Sequence, residues 1–286
     1  MTASIHTLSI KFKGMVNGQL QREIEPCIQS SYFANTGITS CKINVHRLYG
    51  DIFDYDEFKT ALNTILLDAG VEDYVITRLD VRLDSYDREH YKKYAKLNRL
   101  ITSLLAITYH VNNKYRYTDL ITHEQLSIAA KNDRFQIEFY DKRLESREKD
   151  LAESRLELRS LKWNVEPKNI REKFVNEWNT RLDKAIEKYE RMQLCCNDEL
   201  EKVYLRDKDS FPKKFSNLTN FLLQYQECIF TKEQMIDLLE RFPEVKNAVN
   251  KEKNHRSKYG IDYYTIDDVK DAIGILKTSV EDYFYK

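Results

Sequence analysis

The stretch Thr77-Arg-Leu-Asp-Val-Arg-Leu-Asp84 alternates charged with apolar residues from its second position onward, and it decides the fold class. Successive side chains of a β-strand point to opposite faces of a sheet, so this pattern predicts a strand with one apolar and one charged face. The residues of the apolar face are Leu79, Val81 and Leu83. Those of the charged face are Arg78, Asp80, Arg82 and Asp84.

Two later segments, Arg134–Lys142 and Ser154–Ser160, repeat the alternation. Their predicted inward residues are Phe135, Ile137, Phe139, Leu156 and Leu158. Their predicted outward residues are Arg134, Gln136, Glu138, Tyr140, Lys142, Arg155, Glu157 and Arg159. A sheet with one apolar face must bury that face against another layer, and segments with helical spacing supply the layer.

The rest of the chain supplies those helices and further strands. Apolar residues at helical spacing predict helices over Tyr55–Ala69, Arg88–Ala106, Ile170–Glu201, Phe215–Gln226, Thr231–Phe242 and Tyr264–Tyr285. Shorter alternating or β-branched segments predict strands over His6–Lys13, Thr39–Tyr49 and Ile107–Thr118. We therefore predict an α+β protein with an antiparallel-rich sheet and helices on one face. The predicted units are a sheet domain over 1–165, a helical arm over 166–210 and a small helical C-terminal unit over 211–286.

Composition narrows the function only slightly. The 286 residues include 46 Lys and Arg and 46 Asp and Glu, so a nucleic-acid surface requires local segregation of charge. The five cysteines are odd in number and lack C-x-x-C spacing, which argues against a disulfide framework and a zinc site. The start lacks the pattern of a signal peptide, and no apolar window is long enough to span a bilayer. We expect a soluble cytoplasmic protein without a membrane partner.

The three alternating strands place several carboxylates on what could be one face of one sheet. Clustered carboxylates repel each other unless a cation neutralises them, and Mg²⁺ or Mn²⁺ prefers oxygen ligands. Such a metal would polarise a phosphodiester that a tyrosine hydroxyl attacks, while Lys or Arg stabilises the developing charge. A more common outcome of this pattern is a solvated outer face with cross-strand Arg–Asp and Arg–Glu pairs. The pattern by itself leaves both interpretations open.

Taken in order, the segments resemble a known family. The segments are Thr77-Arg-Leu-Asp80 with Asp84, Phe139-Tyr-Asp-Lys142-Arg-Leu-Glu145, and Arg155-Leu-Glu-Leu-Arg159. This order is similar to that of plasmid and phage replication initiation proteins of the rolling-circle type, which are related to conjugation relaxases. The resemblance covers about residues 74–163. It implies a protein that nicks one DNA strand at an origin through a tyrosyl-phosphodiester beside a divalent metal.

The resemblance also implies roles for individual residues. Asp80 and Glu157 look like ligands of Mg²⁺ or Mn²⁺, with Glu138 as a neighbouring third ligand. Lys142 would face the scissile phosphate. Arg155 or Arg159 would orient the carboxylates or the phosphate.

The nucleophilic tyrosine departs from the family pattern. Related proteins carry it on a strand just before the Tyr-Asp-Lys segment, where this chain reads Leu126-Ser-Ile-Ala-Ala-Lys131 without a tyrosine. The H-x-H metal motif of the other rolling-circle class is missing as well. Three replacements stay open: Tyr140, the Tyr115 and Tyr117 pair, and the Tyr91 and Tyr94 pair. We favour Tyr140 because the alternation places it on the carboxylate face.

Two basic segments are candidates for DNA contact outside this face. The first segment contains Lys92, Lys93, Lys96 and Arg99. The second segment is a loop between two predicted helices and contains Lys251, Lys253, Arg256 and Lys258. The second lies where a winged-helix or helix-turn-helix-like unit would bind DNA, and a helical bundle with a solvated loop is the alternative.

The predicted function is a replication initiator of a plasmid or phage that binds double-stranded origin DNA and is a candidate metal-dependent nicking-closing endonuclease. A host helicase or polymerase and a second copy of the chain are candidate partners. The alternatives are a sequence-specific DNA-binding initiator or regulator without catalysis, and a coiled-coil adaptor built on Ile170–Glu201.

Overall fold

One antiparallel sheet organises the computed structural model. The structure describes residues 1–15, 28–50, 52–87, 97–98, 100–102, 104–106, 108–109, 111, 113–118, 125–146, 152–207, 241 and 266–286. The described strands are β1 (Thr2–Lys13), β2 (Ile28–Phe33), β3 (Ile38–Asn44), β4 (Tyr74–Ser85), β5 (Asn113–Thr118), β6 (Gln125–Lys131), β7 (Phe135–Asp141) and β8 (Ser154–Ser160). They pair antiparallel in the order β2-β3-β1-β4-β8-β7-β6-β5.

Helices pack on the apolar face of this sheet. The described helices are α1 (Val45–Tyr49), α2 (Tyr55–Asp68), α3 (Lys142–Glu145), α4 (Ile170–Asp207) and α5 (Ile266–Tyr285). The described positions from 97 to 106, together with Thr108, are also helical, and a 3₁₀ turn over Pro167–Asn169 precedes α4. No helix in the described ranges is long and apolar enough to cross a membrane.

The core forms between the sheet and these helices. Leu79, Val81 and Leu83 are at most 1% exposed, and they belong to one cluster of buried residues with the inward residues of β7 and β8. The same cluster contains Phe174 and Trp178 of α4. Burial of apolar surface at about 25 cal/mol per Å² is the main force that holds helices onto a sheet. The predicted α+β class, with helices on one face, is confirmed.

Several predicted elements agree closely with the structure. Ser154–Ser160 is β8, and β7 lies within the predicted Arg134–Lys142 strand. α2 begins at the predicted residue because the Asp54 side chain accepts a hydrogen bond of 2.8 Å from the Glu57 backbone N–H, which caps the first turn.

Three elements differ from the sequence predictions. The predicted strand Thr39–Tyr49 ends at Asn44, whose side chain accepts from the Arg47 backbone N–H at 3.0 Å and starts α1. The predicted strand Ile107–Thr118 is also too long, because Thr108 is helical and β5 begins at Asn113. Strand β2 was not predicted. Most of its residues are exposed at the sheet edge, so it lacks the buried periodicity that marks an inner strand.

The predicted helices over 215–226 and 231–242, residue 241 excepted, lie outside the described residues. The division into units over 1–165, 166–210 and 211–286 stays a prediction. Within the described residues, Trp178 of the predicted arm donates from its indole Nε1 to Ser160 Oγ of β8 at 3.1 Å. The first half of α4 is therefore packed on the sheet.

Candidate functional site on the polar face of the sheet

Strand register brings the charged residues of β4, β8 and β7 into three rows, which together form what we call the polar face. The rows are Asp80, Arg159 and Gln136; Arg82, Glu157 and Glu138; and Asp84, Arg155 and Tyr140. Each row runs straight across three neighbouring strands because the pairings contain no bulge over these residues. The prediction that the three alternating segments share one charged face is confirmed.

The polar face is buried, which the alternation alone did not indicate. Asp80 and Arg82 are each 1% exposed and Glu157 is 3% exposed. Burial of an ion costs several kcal/mol unless opposite charges and hydrogen bonds offset the loss of water. The polar face, together with the neighbouring Arg78, meets this cost with four arginines and four carboxylates, namely Arg78, Arg82, Arg155, Arg159, Asp80, Asp84, Glu138 and Glu157.

Arg155 makes a two-pronged contact in the third row. Its Nε donates to Asp84 Oδ1 at 2.6 Å and its Nη2 donates to Asp84 Oδ2 at 2.8 Å. The planar guanidinium matches a carboxylate in this geometry. Burial lowers the pKa of Arg155, but the hydrogen bonds and charge of Asp84 outweigh burial and leave the pKa raised. We conclude that Arg155 is charged and that its guanidinium is bound to Asp84 of the neighbouring strand.

Arg159 lies among all three predicted metal ligands. Its Nη2 is 3.0 Å from Glu138 Oε2, and its Nε donates to Glu157 Oε2 at 2.8 Å. Nη2 also contacts the same Glu157 oxygen, and Nε lies 3.7 Å from Asp80 Oδ2. Asp80 has a second partner, since Arg78 Nε donates to its Oδ1 at 2.7 Å. A single guanidinium therefore stands where the sequence predicted a divalent cation.

The carboxylates respond differently to this setting. Burial raises the pKa of Glu157, yet the charges of Arg159 and His6 and the hydrogen bond from Tyr140 lower it to about 2. Burial raises the pKa of Asp80, and the opposing hydrogen bond and charge of Arg78 do not cancel that effect. Glu157 is thus firmly ionised at neutral pH and is a weak proton acceptor.

Tyr140 reaches the middle row from the third. Its hydroxyl Oη donates to Glu157 Oε1 at 2.6 Å, and its side chain is half-buried. Burial, followed by the negative charge of Glu157, raises the pKa of Tyr140. The phenol is therefore neutral near pH 7, and an attack by its oxygen requires a base to remove the proton.

Lys142 lies at the end of β7, in α3. Its Nζ is 2.6 Å from Glu145 Oε2 and 5.8 Å from the centre of the Tyr140 ring. It is thus close to the favoured tyrosine, at the border of the polar face.

The predicted metal was tested against these contacts. Mg²⁺ requires oxygen ligands that approach one point to about 2.0–2.1 Å, in near-octahedral geometry. The oxygens of Asp80, Glu138 and Glu157 are directed to Arg159 instead. Across the described ranges, no group of three or more His, Cys, Asp or Glu residues is arranged to hold a metal ion. With their oxygens directed to Arg159, the three predicted ligands do not fit a divalent metal in this arrangement, so the geometry of the site gives the predicted metal no support.

His6 belongs to the polar face, and the sequence interpretation missed it. Burial lowers its pKa to about 4, and Glu157, Arg155 and Arg82 all act on it electrostatically. A bulge in the β1–β4 pairing lies between Ile5 and Thr7 and shifts the alternation of β1 by one residue. A phase change was visible in the sequence, where buried apolar residues fall at odd numbers before His6 and at even numbers after it. The His6 ring stacks with His46 at a centroid distance of 6.4 Å.

Other predicted site residues are not brought to this face in the described part of the chain. Tyr91, Tyr94 and the candidate DNA-binding residues Lys92, Lys93, Lys96, Arg99, Lys251, Lys253, Arg256 and Lys258 lie outside the described residues. Tyr115 and Tyr117 are on β5, which pairs with β6 and is two strands away from β7. The structure places Tyr140, the favoured candidate nucleophile, beside Glu157, which is a predicted ligand.

Comparison with solved structures shows distant similarity, whereas the other two comparisons find no match. No protein-family model matches the chain, and no curated protein matches it. The fold is similar to a solved structure described as a rolling circle replication initiator protein from Geobacillus stearothermophilus. The TM-score is 0.31 and the identity 13%, over 56% of this chain and 74% of the other.

Proposed function

We propose that the chain is a replication initiation protein of the rolling-circle type, from a plasmid or phage, and that it binds double-stranded origin DNA. One observation carries the proposal: the three sequence segments that resemble this family form the adjacent strands β4, β8 and β7. Their charged residues meet in register on the polar face. Segments far apart in the sequence thus converge, as parts of one site must.

A second candidate function is cleavage of one origin strand by Tyr140. It is favoured by the 2.6 Å hydrogen bond from Tyr140 Oη to Glu157 Oε1, because this carboxylate can take the phenolic proton. In that step Oη forms a bond to phosphorus, the bond from phosphorus to the 3′ oxygen breaks, and the leaving oxygen takes a proton from water. The low pKa of Glu157 and the raised pKa of Tyr140 oppose the transfer, so DNA binding is proposed first.

DNA binding is tested by fluorescence anisotropy with a duplex from the origin of the replicon that encodes the chain. Contacts to phosphates release counterions, so affinity should fall steeply as salt rises. A duplex of scrambled sequence is the control, and specific binding requires a tighter complex with origin DNA. Absence of any salt-dependent affinity would favour the adaptor alternative.

Cleavage is tested with supercoiled origin plasmid, with Mn²⁺ and with EDTA. Relaxed circles that carry covalently attached protein support cleavage, and Tyr140→Phe should abolish them without weakening the anisotropy signal. If the intact chain gives no relaxed circles, or Tyr140→Phe still gives them, Tyr140 is not the nucleophile. A host helicase or polymerase, a homodimer, a cytoplasmic location and a role for Mg²⁺ or Mn²⁺ stay predictions.

A further inference from the structure

Arg159 has an unusual set of neighbours for a strand residue. Its Nη2 contacts Glu138 and Glu157, and its Nε contacts Glu157 and approaches Asp80. Its side chain is 17% exposed, while those of Asp80, Glu138 and Glu157 are 2%, 7% and 4% exposed. The guanidinium therefore enters the carboxylate cluster from a partly open side.

We infer that the guanidinium of Arg159 takes the place of a divalent cation among Asp80, Glu138 and Glu157, so that this cluster binds no divalent metal in the intact chain. The inference rests on the contacts of Arg159 alone, and it holds whether or not the chain binds DNA. It also separates this chain from the metal-dependent chemistry that the resemblance implies for the same carboxylates.

Geometry supports the substitution of arginine for a metal. A guanidinium presents five N–H donors in one plane and can contact several carboxylates at once. Arg159 uses two of its nitrogens on three carboxylates that come from three different strands. A metal ion would have to displace these donors before it could reach the same oxygens.

Charge supports it as well. The three arginines of the polar face, together with the neighbouring Arg78, balance its four carboxylates, and Arg159 contacts three of these carboxylates. A divalent cation added to this balanced face would meet the positive charge of Arg159 at close range, which is repulsive in a buried setting. Removal of Arg159 leaves an excess of negative charge and oxygen ligands, which is the condition that Mn²⁺ favours.

The test is a Mn²⁺ titration of the purified full chain, in which electron paramagnetic resonance measures the concentration of free Mn²⁺. The intact chain should bind no Mn²⁺ at this cluster. Arg159→Gln should gain one site, with affinity at least about tenfold tighter than that of the intact chain. Adding Glu157→Gln to that variant should remove the gained site, which locates it.

Two matched controls separate charge from packing. Arg159→Lys keeps the positive charge and should behave as the intact chain does. Arg171 lies 3.1 Å from one carboxylate, that of the exposed Asp56. The variant Arg171→Gln removes this arginine and should gain no Mn²⁺ site. A Mn²⁺ site gained by Arg171→Gln would show that the loss of any arginine creates one. A site gained by Arg159→Lys would show that the positive charge does not exclude the metal. Either result would overturn the inference.

The inference fails if the intact chain binds one Mn²⁺ and Glu157→Gln abolishes that binding. It also fails if folded Arg159→Gln binds no more tightly than the intact chain. Should Arg159→Gln not fold in EDTA, its thermal unfolding is repeated with Mn²⁺. A cooperative unfolding transition that returns with Mn²⁺ supports the inference. If it does not return, the Mn²⁺ titrations of the intact chain and of Arg159→Lys test the inference instead.

Discussion

Replacing Arg155 with methionine should destabilise the chain strongly, because it leaves Asp84 charged and buried. Asp84 is 2% exposed, and Arg155 holds both of its oxygens, at 2.6 and 2.8 Å. Among the described residues, Arg82 remains beside it as a cation, with its Nε 3.5 Å from Asp84 Oδ2. Removal of one partner from a buried ion pair typically costs about 3–5 kcal/mol.

The expected shift in melting temperature follows from chain length. An unfolding entropy of about 2.1 cal/mol/K per residue gives roughly 0.6 kcal/mol/K for 286 residues. A loss of about 3–5 kcal/mol then lowers Tm by about 5–8 °C.

The assay is urea denaturation at pH 7, followed by far-UV circular dichroism, with calorimetry for Tm. The matched variant is Arg155→Met with Asp84→Leu, which removes both charges and keeps the polar face balanced. It should be more stable than Arg155→Met alone, because it also removes the buried carboxylate that has lost Arg155 as its partner. The reasoning is refuted if Arg155→Met loses less than about 1 kcal/mol, or if the double variant is the less stable of the two.

Two further predictions concern pH. The pKa of Glu157 is lowered from 4.5 to about 2, so its contribution to stability is present above pH 4.5 and is lost as the pH falls toward 2. Between these two pH values, the free energy of unfolding of Glu157→Gln should therefore fall by less than that of the intact chain, with a difference on the order of 3 kcal/mol. Urea denaturation of both proteins at pH 5 and at pH 3 measures this change, and an equal loss of unfolding free energy in the two proteins would contradict the prediction. The pKa of His6 is lowered from 6.5 to about 4, so the unfolded chain takes up a proton first and stability should fall as pH drops from 6.5 to 4. His6→Gln should flatten that part of the curve in thermal unfolding, and an NMR titration midpoint of His6 near 6.5 would show that the ring is not buried as described.

Alternation of residue types was enough to predict the strands β4, β7 and β8 and the division of each into an apolar and a charged side. This information is local, because a strand has a period of two residues wherever it lies in the fold. The same locality explains why α2 and its Asp54 cap were predictable, and why the edge strand β2, with little buried periodicity, was not.

Tertiary structure decided how the charged side chains are partnered and how deeply they are buried. Arg155 and Asp84 are 71 residues apart in sequence, and only the pairing of β4 with β8 brings them together. The bulge beside His6 is likewise a property of the β1–β4 pairing, and His6 lies where the charge of Glu157 acts on its ring. Alternation showed that Asp80, Glu138 and Glu157 would share a face, but not that Arg159 would lie among them, since the direction of a long flexible side chain depends on every neighbouring charge.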